Sequence, residues 1–177
     1  ALVLMNNGSL MDAIRILDGL IKKYPEEAKY LSDRGVCALD MGDPQEALGY
    51  YHKALEVWRW FPSAYAGVCI YTGLCSAYIE LGMKKEAMEI ALEGLKKFPD
   101  EDPALYYNAG AAFAEMGWSK EAVEILKKGV ETFPDDEELR ELLKTIEGDM
   151  DDPNGGGKRS LLALLLVMAT YKKLRKR

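Results

Sequence analysis

One short pattern recurs four times in this chain and limits what it can fold into. Gly8-Ser-Leu-Met-Asp-Ala13, Gly42-Asp-Pro-Gln-Glu-Ala47, Gly82-Met-Lys-Lys-Glu-Ala87 and Gly117-Trp-Ser-Lys-Glu-Ala122 each place a glycine five residues ahead of an alanine. The alanines are spaced 34, 40 and 35 residues apart. A period near 34 is that of one helix–turn–helix unit in a stacked array. Glycine closes the first helix because it accepts the left-handed backbone a tight turn needs. Alanine suits the point where two helices of a hairpin come closest, since a larger side chain would force them apart. Pro25, Pro99 and Pro134 follow three of the alanines by twelve residues. They stop the second helix, because proline cannot continue the hydrogen-bond ladder.

Other small and aromatic residues fall into the same frame. They are Gly35, Gly42, Ala47, Tyr51, Ala54 and Leu55 in the second unit, and Tyr78, Gly82, Ala87, Leu95 and Pro99 in the third. The fourth unit has Tyr106, Gly110, Phe113, Gly117, Ala122 and Pro134. One Gly-x4-Ala is weak; four in register, with matching prolines and aromatics, are specific. On these residues the chain resembles the tetratricopeptide-repeat (TPR) family over positions 1 to about 147. The resemblance implies an all-α fold, a right-handed α-solenoid of helix–turn–helix units with a C-terminal capping helix. It also implies a role as a protein-binding scaffold.

The units are expected at about 1–27 (a truncated first unit), 28–61, 68–101 and 103–136, with a capping helix at 137–147, a linker at 148–160 and a last helix at 161–177. Helices are expected near 9–24, 26–41, 44–60, 63–81, 84–98, 103–116, 119–133 and 135–147, after a stub near 1–7. The first unit lacks about half of its first helix, so the sequence is expected to start inside a repeat. The step of 40 carries six extra residues, enough for about one turn on each of two helices. Asp43-Pro44 and Asp102-Pro103 read as N-caps followed by proline at the first helical position. Leu139, Leu142, Leu143 and Ile146 form one stripe opposite a charged face, which is how a solenoid closes its core and wets its end.

In such an array the first helices of the units line a concave groove. The resemblance assigns to it Lys29, Ser32, Val36, Leu39 and Asp40 in the second unit, and Cys69, Thr72, Ser76, Ile79 and Glu80 in the third. In the fourth unit it assigns Ala104, Tyr107, Ala111, Ala114 and Glu115. The lining is mixed and rather apolar, with carboxylates at one edge, and suits helical or extended peptides. TPR domains that clamp chaperone C-termini use Lys, Asn and Arg in the groove. Ser32, Val36, Cys69, Thr72 and Ser76 stand in those places here, and only Asn108 resembles the set. Without cations a carboxylate ligand loses its charge-assisted bonds, so a basic or amphipathic ligand fits better. Trp58, Trp60, Phe61 and Tyr65, around the extension, either cover the core of the lengthened hairpin or form a second interface, since aromatics dominate interface hot spots.

Charge separates the body from the tail. From 158 to 177 there are seven Lys and Arg and no Asp or Glu, whereas 1–157 carries 16 basic against 29 acidic residues. An acidic body repels phosphate, so nucleic acid is not expected as a partner. The tail holds Leu161, Leu162, Leu164, Leu165 and Leu166 in an apolar run of 11 residues, followed by Lys172, Lys173 and Arg175 among other basic residues. An 11-residue helix is only about 16 Å long, against a bilayer core of roughly 30 Å. The run can dock on a TPR surface, its own or a neighbour's, giving a homo-oligomer in the latter case. It can insert shallowly at an anionic membrane, making the chain a peripheral membrane adaptor. It can also belong to an artificial extension joined through Gly155, Gly156 and Gly157.

Three cysteines (Cys37, Cys69 and Cys75) without a CxxC pair give no disulfide framework or zinc site and fit a reducing, cytoplasmic compartment, with the tail as a link to a membrane or organelle surface. Because the first residue is Ala1, upstream targeting stays open. The one histidine, His52, is expected to be structural or exposed, and Cys69 and Cys75 to pack as small hydrophobes. Asp149, Asp151 and Asp152 lack the late Glu of a calcium loop, and the glycine run lacks Walker spacing. No cofactor, metal or enzymatic activity is expected.

Overall fold

The computed structural model describes residues 9–151, and these form eight α-helices with no strand. They are α1 (Leu10–Lys23), α2 (Ala28–Asp40), α3 (Pro44–Trp60), α4 (Ala64–Glu80), α5 (Lys84–Lys97), α6 (Pro103–Glu115), α7 (Ser119–Thr132) and α8 (Glu137–Asp151). The expected stub at 1–7 and tail helix at 161–177 lie outside the described residues.

The repeated glycines do what their positions require. Gly42, Gly82 and Gly117 have φ of 79°, 69° and 79°. After each of them the next N–H reaches back to a carbonyl five residues earlier: Asp43 to Ala38 at 2.9 Å, Met83 to Tyr78 at 2.9 Å and Trp118 to Phe113 at 3.0 Å. This is the Schellman closure of a helix. The next helix then starts at once. Asp43 Oδ1 accepts from the Glu46 N–H, and Asp102 Oδ1 from the Ala104 N–H, each at 2.8 Å and each ahead of a proline at the first helical position. Asp136 caps α8 in the same way, accepting from the Leu139 N–H at 2.8 Å.

Short connections reverse the chain at every step. The first helices of the units, α2, α4, α6 and α8, pack side by side as one layer, and α1, α3, α5 and α7 form the other. The alanines of the pattern, Ala13, Ala47, Ala87 and Ala122, are fully buried. Large aromatics fill the remaining space against glycines. Tyr51 lies against Gly35 and Gly73, Tyr71 against Gly94, and Tyr106 against Gly129.

The six extra residues lengthen both α3 and α4 to 17 residues, where their counterparts have 13 or 14. The added turns divide the aromatic group. Trp58 turns inward, 6.2 Å from Tyr71 and 6.0 Å from Phe98 between ring centres, and its indole N–H donates to the Ser63 carbonyl at 2.8 Å. Trp60, Phe61 and Tyr65 turn outward and are 81%, 62% and 60% exposed.

Two features depart from the sequence reading. Helix α8 runs on to Asp151, through Gly148 and past the expected end at Glu147. A helical glycine costs only about 1 kcal/mol relative to alanine, too little to end a helix anchored by Leu139, Leu142 and Ile146. The interior also holds a cation. Arg34, buried on α2, reaches Asp18 on α1 at 3.2 Å and Glu46 on α3 at 3.1 Å, and lies 4.6 Å from the centre of the Tyr50 ring. It ties three helices together.

Candidate functional site: the concave face of the first helices

Spacing of three and four residues puts the assigned groove positions on one side of each helix, and side-by-side packing of α2, α4 and α6 joins them into a single face. The structure gives this face depth. Ser32, Leu39, Thr72, Ala104, Tyr107 and Ala111 are buried; Lys29, Val36, Asp40, Cys69, Ser76, Ile79, Ala114 and Glu115 are partly buried; Glu80 is exposed.

The polar groups of the floor are mostly engaged. Thr72 Oγ1 donates to the Val68 carbonyl at 2.9 Å, and Ser76 Oγ donates to the Thr72 carbonyl at 3.0 Å. The Asn108 amide crosses from α6 to α4, donating to the Thr72 carbonyl at 3.2 Å and, at the longer distance of 3.5 Å, to Ser76 Oγ. Its donors therefore hold the array together and do not face a ligand carboxylate. Ser32 is different: it is 1% exposed, and its hydroxyl has no hydrogen-bond partner.

One edge of the face is acidic. Each of the three helices ends on a carboxylate: Asp40 on α2, Glu80 on α4 and Glu115 on α6. The C-terminal end of a helix is already the negative end of its dipole. An acid there costs each helix about 0.3–1 kcal/mol, so the three together make a negative edge at the expense of stability. Lys84 partly offsets one of them, with Nζ 3.1 Å from Glu115 Oε2. Near the opposite edge Lys29 donates to Asp33 Oδ2 at 2.8 Å and sits 5.5 Å from the centre of the Tyr65 ring. Burial alone would lower the Lys29 pKa, but the bond to Asp33 and the nearby negative charge raise it, so Lys29 stays protonated in its ion pair with Asp33.

No disulfide joins Cys37, Cys69 and Cys75. Burial pushes the thiols of Cys37 to about 11 and of Cys75 to about 12. Cys69 stands on the face itself. His52 is exposed on α3, with Nε2 3.0 Å from the Tyr78 hydroxyl. Among the described residues no three His, Cys, Asp or Glu side chains group as metal ligands. No described helix is long and apolar enough to cross a membrane.

A shallow cavity of about 430 Å³ lies away from this face, between Lys23, Tyr24, Pro25, Glu26, Glu27 and Phe61. It adds Tyr24 to the exposed aromatics of that edge. The sequence reading missed Tyr24, because its neighbour Phe61 lies on a different unit.

The repeat geometry matches known proteins. Models described as "Tetratricopeptide repeat" match residues 1–66, 38–108 and 103–136, and the chain belongs to the TPR family. No curated protein matches it in sequence. Among solved structures it resembles MamA 41-end from Desulfovibrio magneticus RS-1 with a TM-score of 0.69 at 17% identity, covering 94% of this chain and 90% of that one. It resembles the first TPR of Spaghetti (RPAP3), bound to the HSP90 peptide SRMEEVD, with a TM-score of 0.63 at 20% identity, covering 71% and 97%. YrrB, described as a TPR protein with an unusual peptide-binding site, gives 0.62 at 23% identity, covering 76% and 66%. These likenesses establish a shared helical-repeat fold.

Proposed function

We propose that this chain is a protein-interaction scaffold whose concave face takes up a peptide or helical segment, with the basic end of that ligand at Asp40, Glu80 and Glu115. The observation that carries the proposal is the edge itself: three adjacent helices each end on a carboxylate, against their own dipoles, beside a floor of apolar and small residues. The RPAP3 domain holds an acidic peptide; the sign of the edge here favours the opposite ligand class. Two labelled synthetic peptides test this by fluorescence anisotropy with the full chain. They share an amphipathic Leu/Ala body and end in Lys-Lys-Arg or Glu-Glu-Asp. The basic-ended peptide is expected to bind about tenfold tighter or more at low salt, and to lose that advantage in Asp40→Lys/Glu80→Lys. Equal binding of the two peptides would remove this ligand class.

The proposal includes association of copies, supported by the exposed edge of Trp60, Phe61, Tyr65 and Tyr24. Light scattering of the full chain is expected to give a mass above the monomer's. The mass should drop to the monomer's in Trp60→Ser/Phe61→Ser, since aromatic anchors carry most interface energy. A monomeric wild-type chain at every concentration sinks this part. Near-complete mutual overlap with MamA supports a scaffold of the bacterial magnetosome-associated type, cytoplasmic and seated on an organelle surface. At 17% identity, what the two share is the fold.

A further inference from the structure

The groove and the chain's own C-terminal segment are chemically matched. We infer that the concave face of α2, α4 and α6 is the docking site of residues 161–177 of the same chain, with the apolar run on the floor and the basic end at the Asp40, Glu80 and Glu115 edge. This rests on the groove reading above and names its first occupant.

Charge is the first argument. The segment from 158 onward has seven cationic side chains and no anionic one, while 1–157 has a formal charge of −13. Within that acidic body, the three helix-end carboxylates gather along one edge of one face. The segment pairs an apolar run with a basic end, and the face pairs apolar residues with those acids.

The second argument is the floor. Val36, Ile79 and Ala114 are apolar and only partly buried along it, so the face keeps apolar surface that an occupant can cover. The leucines between 161 and 166 offer matching apolar surface.

Reach is the third. Helix α8 packs beside α6 in the layer that forms the face, and two chain reversals bring its C-terminal end to the edge where α6 ends. Nine residues separate Asp151 from Leu161, and a chain of that length extends up to about 30 Å. Neighbouring helices in a layer are about 8–10 Å apart, so the tether reaches α4 and α2. A short tether also gives an effective concentration in the millimolar range, so the chain's own groove fills before another copy's. A partner must then displace the segment before it can bind.

Cys69 reports on the face, because the raised thiol pKa values of Cys37 and Cys75 leave them slow to react. The experiment is maleimide labelling of the full chain, read by mass spectrometry at Cys69. Leu162→Asp/Leu165→Asp is expected to speed labelling about tenfold or more at every protein concentration, and Asp40→Lys/Glu80→Lys to do the same. The oligomer mass stays unchanged in the leucine variant, whose substitutions fall outside α1 to α8. A Cys69 rate indifferent to the leucine variant overturns the inference. So does a rate difference that grows with protein concentration, which would place the segment in another copy's groove. Flotation of the wild-type chain on vesicles containing one-third anionic phospholipid, with Cys69 already labelling at the variant's rate, assigns the segment to a membrane and overturns it too. The Lys-Lys-Arg peptide separates the two readings. If it protects Cys69 while the leucine variant has no effect, the groove stands and only the tail assignment fails; if neither protects, both fail.

Discussion

Gly73→Ala is expected to destabilise the array by about 3 kcal/mol, at the upper end of overpacking costs in a close-packed core. Tyr51 is fully buried, with its ring held between Gly35 on α2 and Gly73 on α4. A Cβ on Gly73 would run into ring atoms Cζ and Cε1 and come within 2.6 Å of the hydroxyl oxygen. The ring cannot retreat, because a Cβ placed on Gly35 would itself lie 2.8 Å from it on the other helix. Helices α2 and α4 must separate, or the tyrosine must leave its rotamer. At about 2–4 °C per kcal/mol for a chain of this size, the midpoint should fall by roughly 6–12 °C. Gly49→Ala is the control. Gly49 is exposed within α3 with nothing within 4 Å of its Cβ position, so this change should stabilise by up to about 1 kcal/mol. Tyr51→Leu in the Gly73→Ala background should recover part of the loss, since it removes the obstructing ring. Thermal melts followed by circular dichroism decide it. If Gly73→Ala melts with the wild type, the ring is not confined as described.

The turns were the most legible part of this molecule, because each depends on residues adjacent in sequence. Gly42, Gly82 and Gly117 read as helix ends and take positive φ; Asp43 and Asp102 read as caps and accept the expected N–H bonds. The six-residue surplus shows up as longer α3 and α4. Features that depend on the approach of distant helices were not legible. Arg34 looks like a surface residue in sequence, and its anionic partners lie 16 and 12 residues away on two different helices. The inward turn of Trp58 and the outward turn of Trp60 and Phe61 depend on where Tyr71 and Phe98 sit. The groove positions came from the family resemblance, which says nothing of their burial: Thr72 and Tyr107 are buried where neighbouring first helices pack closely. The three carboxylates were expected at one edge, one residue short of each expected helix end, and they are the final residues of α2, α4 and α6.

Leu142→Asp is expected to cost more than about 4 kcal/mol locally and to detach α8 while sparing the far end of the array, because an unpaired charge replaces a core leucine. Leu139, Leu142 and Ile146 are almost completely buried and close one core cluster with Tyr106, Phe113 and Leu126. The pair of Lys127 with Glu147 at 2.9 Å on the outer side of α8 is exposed and contributes little. The cap is therefore held by its apolar stripe. In a repeat array each unit contacts mainly its neighbours, so damage at one end should fade along the chain. Hydrogen exchange should show α8 losing protection first and α7 and α6 next, with α2 and α3 close to wild type. Leu142→Ala should show the same order more weakly, at about 2–5 kcal/mol. Equal loss of protection across all eight helices would mean that the array unfolds as one cooperative body and that α8 is part of a single core. A graded loss would identify α8 as a true cap and locate the weakest part of the groove beside α6, at the end where the tether to residues 161–177 begins.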